Sequence, residues 1–191
     1  MRFDRRHIFL LLLGIFCVFF FSKAFLPIYF HKPIKLTITK QNGNIVDIDT
    51  PVNVDFENFL KINVINFPQN YTLTHKNFGS LGFSGNFFLR FNTKMIVKKE
   101  GYYVFYVASD DGFRLKINNN IAGEFTLNRP FSTSEVFVEL KKGVYYFDLF
   151  YFQGFGPCGI VVHYKPFEVE KKFLLGQNSS YIKFYYPDRD L

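Results

Sequence analysis

The chain has 191 residues, with 23 Lys and Arg against 16 Asp and Glu for a formal charge of +7. That length holds one domain with short additions and excludes a large multidomain enzyme. Phenylalanine (28) and tyrosine (12) bring the aromatic content to 21% without a single tryptophan, far above what a disordered chain or a coiled coil carries, so a packed core is expected. The positive charge is spread along the chain. Lys98-Lys99 and Lys141-Lys142 are short pairs, each followed by a turn glycine, Gly101 and Gly143. A nucleic-acid binder needs a basic face several charges strong, so no nucleic-acid partner is expected.

The first element, residues 1–30, reads as a membrane-targeting or anchor segment. Arg2, Arg5 and Arg6 precede Ile8 to Phe21, a run that is apolar apart from Gly14. In a helix that run spans about 21 Å, short of the roughly 30 Å hydrocarbon core and suited to the apolar region of a signal peptide. Ser22 and Ala24 carry the small side chains that signal peptidase accepts, so cleavage after Ala24 yields a secreted protein. If instead Lys23 snorkels, the apolar stretch continues through Phe25, Leu26, Ile28, Tyr29 and Phe30 and reaches about 23 residues, enough for an uncleaved transmembrane helix. Under either reading the arginines stay cytoplasmic and the rest of the chain is extracytoplasmic. Only Cys17 and Cys158 are present, so the exported part has no internal disulfide and depends on packing.

From residue 31 to 191 the pattern is that of a single all-β domain. Ile34, Leu36 and Ile38 alternate with Lys35, Thr37 and Thr39, and the same period of two runs through Leu60–Val64, Phe113–Ile117 and Val136–Leu140, as in strands buried on one side. Gly101–Ala108 and Gly143–Phe152 are apolar on both faces, as in central strands of a sandwich or closed barrel. Turn signals at 41–44, 109–112, 118–120, 128–130 and 141–143 join the strands as hairpins. The expected fold is an antiparallel β-sandwich or barrel of about ten strands behind one N-terminal hydrophobic helix, with a last strand at Tyr181–Tyr186.

The run "EGYYVFYVASDDGFRLKINNNIAGEF" followed by "VFVELKKGVYYFDLFYFQGFGPCGIVVHYKP" resembles the protective-antigen fourteen-kilodalton (PA-14) domain family, a β-sandwich module of toxins, glycosidases and fungal adhesins. The likeness lies in the order of parts: the aromatic strand Gly101–Val107, the turn Ser109–Gly112, the strand Phe113–Ile117, then Leu140–Phe147, the loop Phe152–Gly156 and the apolar strand Ile160–Tyr164. Phe83–Phe91 looks like the family's earlier strand, so the resemblance covers about residues 78–166.

The resemblance implies a site. In the sugar-binding branch of that family two adjacent aspartates hold a calcium ion that meets carbohydrate hydroxyls, and Asp110 and Asp111 occupy that place. Calcium takes six to eight hard oxygens, so carbonyls of the facing loop Gln153–Pro157 are the expected complement. Where the adhesins supply an Asn side chain from the second loop, "QGFGPCG" has Gln153 and backbone oxygens. Gln153 is then a polar contact and Phe155 an aromatic platform for a sugar ring, with Phe113 in the core. The turn also has a purely structural reading, in which Asp110 opens an Asx-turn, Asp111 solvates it and Gly112 takes a positive φ.

Other motifs lead nowhere. Gly154, Gly156 and Gly159 fit G-x-G-x-x-G, but a strand rather than a helix follows. Cys158 and His163 fall on opposite faces of one strand, and a lone Asp148 cannot divide the acid and base roles of glycoside hydrolysis. No catalytic set is found. The sequence therefore points to a non-catalytic, extracytoplasmic, membrane-tethered module that recognises a glycan or cell-envelope polymer, with Ca²⁺ as its one candidate cofactor. The alternative is an envelope structural or assembly protein that docks on other subunits without a small ligand.

Overall fold

The computed structural model describes residues 5–188, with side chains for 9–21 and 31–188. It comprises two compact units, Met1–Lys32 and Pro33–Leu191. The first contains helix α1, Arg5–Phe30, whose side chains from Phe9 to Phe21 are exposed. Among the described residues no helix is long and apolar enough to cross a membrane, because an apolar stretch from Phe9 to Phe21 spans only about 20 Å. The expected transmembrane span is thus not supported. The side chains of Ser22, Ala24 and the apolar residues that follow through Phe30 lie outside those described.

The second unit is the expected antiparallel sandwich, with more strands than the period-two runs indicate. Its strands are β1 Ile34–Gln41, β2 Val54–Ile62, β3 Asn66–Asn70, β4 Thr74–His75, β5 Gly79–Ser80, β6 Phe87–Val97, β7 Gly101–Asp110, β8 Phe113–Ile117, β9 Asn120–Phe125, β10 Ser132–Leu140, β11 Gly143–Gln153, β12 Cys158–Pro166, β13 Phe173–Leu174 and β14 Ile182–Tyr185. A seven-stranded sheet runs β2-β1-β6-β11-β8-β9, with β14 also on β6. A five-stranded sheet runs β10-β7-β12-β13, with β3 also on β12, and β4 pairs with β5. In each sheet one long interior strand takes two partners along the same side. β6 pairs with β1 along Phe87–Asn92 and with β14 along Lys94–Val97, while β12 pairs with β3 near Cys158 and with β13 at His163 and Tyr164.

The period-two pattern explains the core. Leu36, Phe91, Leu149 and Leu115 from the large sheet meet Phe105, Val107, Val162 and Tyr164 from the small one, all fully buried in one cluster. Phe105 packs on Phe147 at 5.9 Å between ring centroids and Phe67 on Phe91 at 5.9 Å, within the range at which aromatic pairs add to area burial. Asn118 and Asn119, both at positive φ, form the two-residue link between paired Ile117 and Asn120, as a type I′ hairpin demands. Lys98, Lys99, Lys141 and Lys142 are exposed.

Candidate functional site

The site lies where β7 ends. Asp110 closes the strand opposite Gly159 of β12, and Asp111 with Gly112 makes the turn into β8; the Asp110–Asp111 peptide is cis. Three segments close over this turn: β3 through Gln69, the loop after β9 through Asn128, Arg129 and Phe131, and the β11–β12 loop through Gly154.

Both carboxylates are buried, Asp110 at 6% and Asp111 at 4% exposure. Asp110 Oδ2 accepts from Gln69 Nε2 at 2.8 Å, and the carboxylate also takes the Phe131 N–H. Asp111 Oδ2 accepts the Gly154 N–H at 2.9 Å and its Oδ1 the Arg129 N–H at 3.3 Å. Burial pushes both carboxyls above the ordinary Asp range; the hydrogen bonds, and for Asp110 the Arg129 charge, pull the other way, while the Asp110 charge raises Asp111 further. Two carboxylates therefore share a desolvated corner with one guanidinium, a net negative charge that favours a cation. The Asx-turn reading does not hold, because the Asp110 side chain reaches β3 and the Phe131 backbone, and Asp111 is not solvated.

Gly112 is required for closeness, not for a positive φ. It is absent from the positive-φ residues, and a Cβ there would meet Phe125 O at 2.3 Å and Phe152 Cε1 at 2.6 Å. Gly154 is similar: a Cβ would meet Ile45 O at 2.9 Å, with Asp111 Oδ2 and Asn128 Nδ2 just beyond. Asp111 and Asn128 thus both border Gly154. Sequence reasoning treated "NRP" at 128–130 only as a turn, and an amide ahead of an arginine and a proline near no other motif gave no signal for more.

Gln153 is fully buried and its amide is used inside the chain. Nε2 donates to Phe155 O at 3.2 Å and Pro157 O at 3.0 Å, and Oε1 receives the Tyr151 hydroxyl, which also touches Asp110 O. It shapes the loop that presents Phe155, whose ring is 65% exposed. Arg129 completes the corner: Nη1 donates to Ser134 Oγ at 2.8 Å and Nη2 to Ser109 Oγ at 2.7 Å, and the guanidinium lies 4.6 Å from the Phe125 ring centroid and 5.4 Å from that of Phe113.

The family model of the PA14 domain matches residues 70–166, just over half of the chain and all the strands that frame this corner from β6 to β12. The chain belongs to the PA14 domain family. The family's name is PA14, without the fourteen-kilodalton expansion attached to the resemblance above. A comparison with curated proteins finds no match. Among solved structures the chain is similar to the PA14 domain of the MpAFP antifreeze protein at 15% identity and a TM-score of 0.61, covering 81% of this chain and 91% of that one. It is similar to a PA14 sugar-binding domain from an RTX adhesin at 13% identity and a TM-score of 0.60, covering 75% and 94%. It is also similar to the epithelial adhesin 6 A domain of Candida glabrata, in complex with Galb1-3GlcNAc, at 13% identity and a TM-score of 0.59, covering 83% and 88%. At these identities the likeness is one of fold.

Within this PA14 domain the donor types suit calcium: two carboxylates and loop carbonyls supply hard oxygens, while Asn128 turns its Nδ2 toward Gly154. Among the described residues no group of three or more His, Cys, Asp or Glu is arranged to hold a metal, so the carboxylates would need amide, carbonyl and water oxygens beside them. Cys158 and His163 do sit apart as expected, Cys158 in the core and His163 beside Lys172.

Proposed function

We propose that this PA14 domain is a non-catalytic extracytoplasmic module that binds a glycan or cell-envelope polymer at the loop end of its sandwich. The observation that carries this reading is the pair of buried, under-compensated carboxylates Asp110 and Asp111 beside the exposed Phe155. Asp110 and Asp111 would hold a calcium ion together with loop carbonyls and water, and the ion would supply coordination to vicinal hydroxyls of a sugar. Phe155 provides an apolar ring against a sugar face, and Gln153 positions its loop. That a sugar-binding adhesin domain and a disaccharide complex share the fold supports the ligand class. The N-terminal segment, with Arg2, Arg5 and Arg6 ahead of an exposed apolar helix, tethers or targets the domain to a membrane.

The test is thermal unfolding of the full-length chain with excess calcium against excess chelator, because an ion that binds only the folded state raises its stability by mass action. A higher Tm in calcium that disappears in Asp110→Asn/Asp111→Asn is the expected result. Equal Tm values would remove the metal. The glycan reading is then tested by a glycan array probed in calcium.

A second reading is docking on other envelope subunits. It is favoured by Tyr102, Phe137 and Phe167, three exposed aromatic residues on or beside the five-stranded sheet, of which Phe137 and Phe167 pack at 6.2 Å. Exposed aromatic clusters of this kind mark protein interfaces. Loss of co-purifying subunits in Phe137→Ser/Phe167→Ser, with no calcium response in the parent chain, would favour it over the first.

A further inference from the structure

The outer face of the seven-stranded sheet is not a plain solvated surface. Register places Phe59, Thr37, Arg90 and Phe150 opposite one another on β2, β1, β6 and β11, and Lys35, Asn92 and Asp148 in the adjacent row. Three inter-strand spacings separate Phe59 from Phe150, about 14 Å. Between them runs a groove of about 310 Å³ lined by Thr37, Thr39, Glu57, Phe59, Arg90 and Asn92 among others.

The groove has a constructed floor. Asp148, 5% exposed, accepts from Arg90 Nε at 2.9 Å, from Arg90 Nη2 at 2.7 Å and from Asn92 Nδ2 at 3.0 Å. One buried carboxylate therefore fixes two neighbouring groups. Asn92 is itself 6% exposed, and its Oδ1 accepts no hydrogen bond from any described residue. Its amide nitrogen is held by Asp148, so the oxygen remains as an acceptor open to the groove. Arg90 spends Nε and Nη2 on Asp148 and keeps further N–H donors. A donor and an acceptor thus stand side by side, with the guanidinium charge neutralised by Asp148.

The apolar part is equally specific. The Phe59 ring is 56% exposed with Lys35 Nζ 5.1 Å from its centroid, and Phe150 lies stacked on Phe88 at 5.2 Å. Concave sites lined by aromatic rings with a few fixed polar groups are the usual form of a small-ligand site. Hydroxyls paired with a carbon-bearing face match such a donor, acceptor and ring. Neutralisation of Arg90 favours an uncharged ligand over an anionic one, and the groove's length favours an oligosaccharide over a single sugar.

We propose that this groove is a second, cation-independent binding site for a neutral saccharide chain, with Phe59 as stacking platform and Arg90 and Asn92 as hydroxyl-binding groups. Asp148 is a positioning residue. The site is separate from the loop end and does not depend on calcium there.

The full-length chain, in a detergent without a sugar headgroup, is run on native gels containing hydroxyethyl cellulose, mannan or galactan, each in chelator. Retardation by at least one of the three is expected, with a loss of at least about tenfold in apparent affinity in Phe59→Ala and in Asn92→Ala. Phe59 is half in solvent, so Phe59→Ala keeps the Tm of the parent chain and reads binding alone. Absence of retardation in chelator by all three polymers overturns the proposal, as does retardation that survives Phe59→Ala. Retardation that appears only with calcium also overturns it while supporting the loop-end site. Retardation in chelator without any calcium effect on Tm would support this groove and sink the loop-end metal.

Discussion

Asp111 Oδ2 accepts the backbone N–H of Gly154 at 2.9 Å, tying the β7–β8 turn to the β11–β12 loop across 43 residues of sequence. The same carboxylate holds the Arg129 N–H. One side chain therefore joins three segments, and the backbone it holds is the backbone that would have to be in place for a cation to bind. Asp111 is as much a clamp on the loop end as a candidate ligand.

Gly112→Ala tests how tightly that end is closed. The added methyl would meet two backbone oxygens, Phe125 O at 2.3 Å and Leu127 O at 2.9 Å, besides the Phe152 ring. Backbone cannot swing aside as a flexible side chain can. The substitution should cost about 1–3 kcal/mol as overpacking, read as a lower urea midpoint with unchanged slope. An unchanged midpoint would mean that the loop after β9 is free to shift.

Tyr151→Phe removes one hydroxyl from the interior. That hydroxyl lies between Asp110 O and Gln153 Oε1, and both are buried. Losing the shared donor leaves Gln153 Oε1 without a partner, at a cost of about 1–3 kcal/mol. Gln153→Leu removes the same bond together with those from Nε2 to Phe155 O and Pro157 O, so the double variant should lose less than the sum of the two single changes. Full additivity of the two changes would show that they do not share the bond.

How much of this could be read in advance depends on how local each cause is. Alternation along Ile34–Thr39 or Phe113–Ile117 is a property of neighbouring residues, and the strands fall where it indicates. β4, β5 and β13 are two residues long and leave no period to detect. The aspartate pair was visible as "SDDG", but its burial was not, because the cover comes from Gln69 and from the loop carrying Asn128 and Arg129. Gly112 shows the same limit: glycine in a turn suggests φ, whereas here the reason is an approach by Phe125 and Leu127. The sheet-face groove was hidden altogether, since Arg90, Asn92 and Asp148 become neighbours only through the β6–β11 register.

The aspartates also set a pH dependence. Both carboxyls are raised by burial above the unfolded value, so the folded chain binds more protons than the unfolded one. Their favourable contribution is present at low pH and is lost as the pH rises through the raised values. In chelator, the parent chain should therefore gain stability over Asp110→Asn/Asp111→Asn as the pH is lowered from neutral toward the carboxylate range. His75 and His163, lowered by burial, act with the opposite sign but equally in both chains, so the difference cancels them. Urea midpoints of the two chains across that range decide it; a difference that does not change with pH would mean that the pair ionises alike folded and unfolded.

The two thiols should separate cleanly in a labelling experiment. Cys158 is buried in the core cluster, and burial first, then the Asp110 charge, push its thiol up to about 11. Cys17 is exposed on the helix. The thiolate is the reactive species, so at mildly alkaline pH the native chain in detergent should expose one fast-reacting thiol to an aromatic disulfide reagent and release the second only in denaturant. Because Cys158 faces Asp110 electrostatically, Asp110→Asn removes part of what holds the thiol protonated, and the slow phase should quicken modestly without reaching the rate of Cys17. A slow phase that Asp110→Asn leaves unaltered would assign the protection of Cys158 to burial alone.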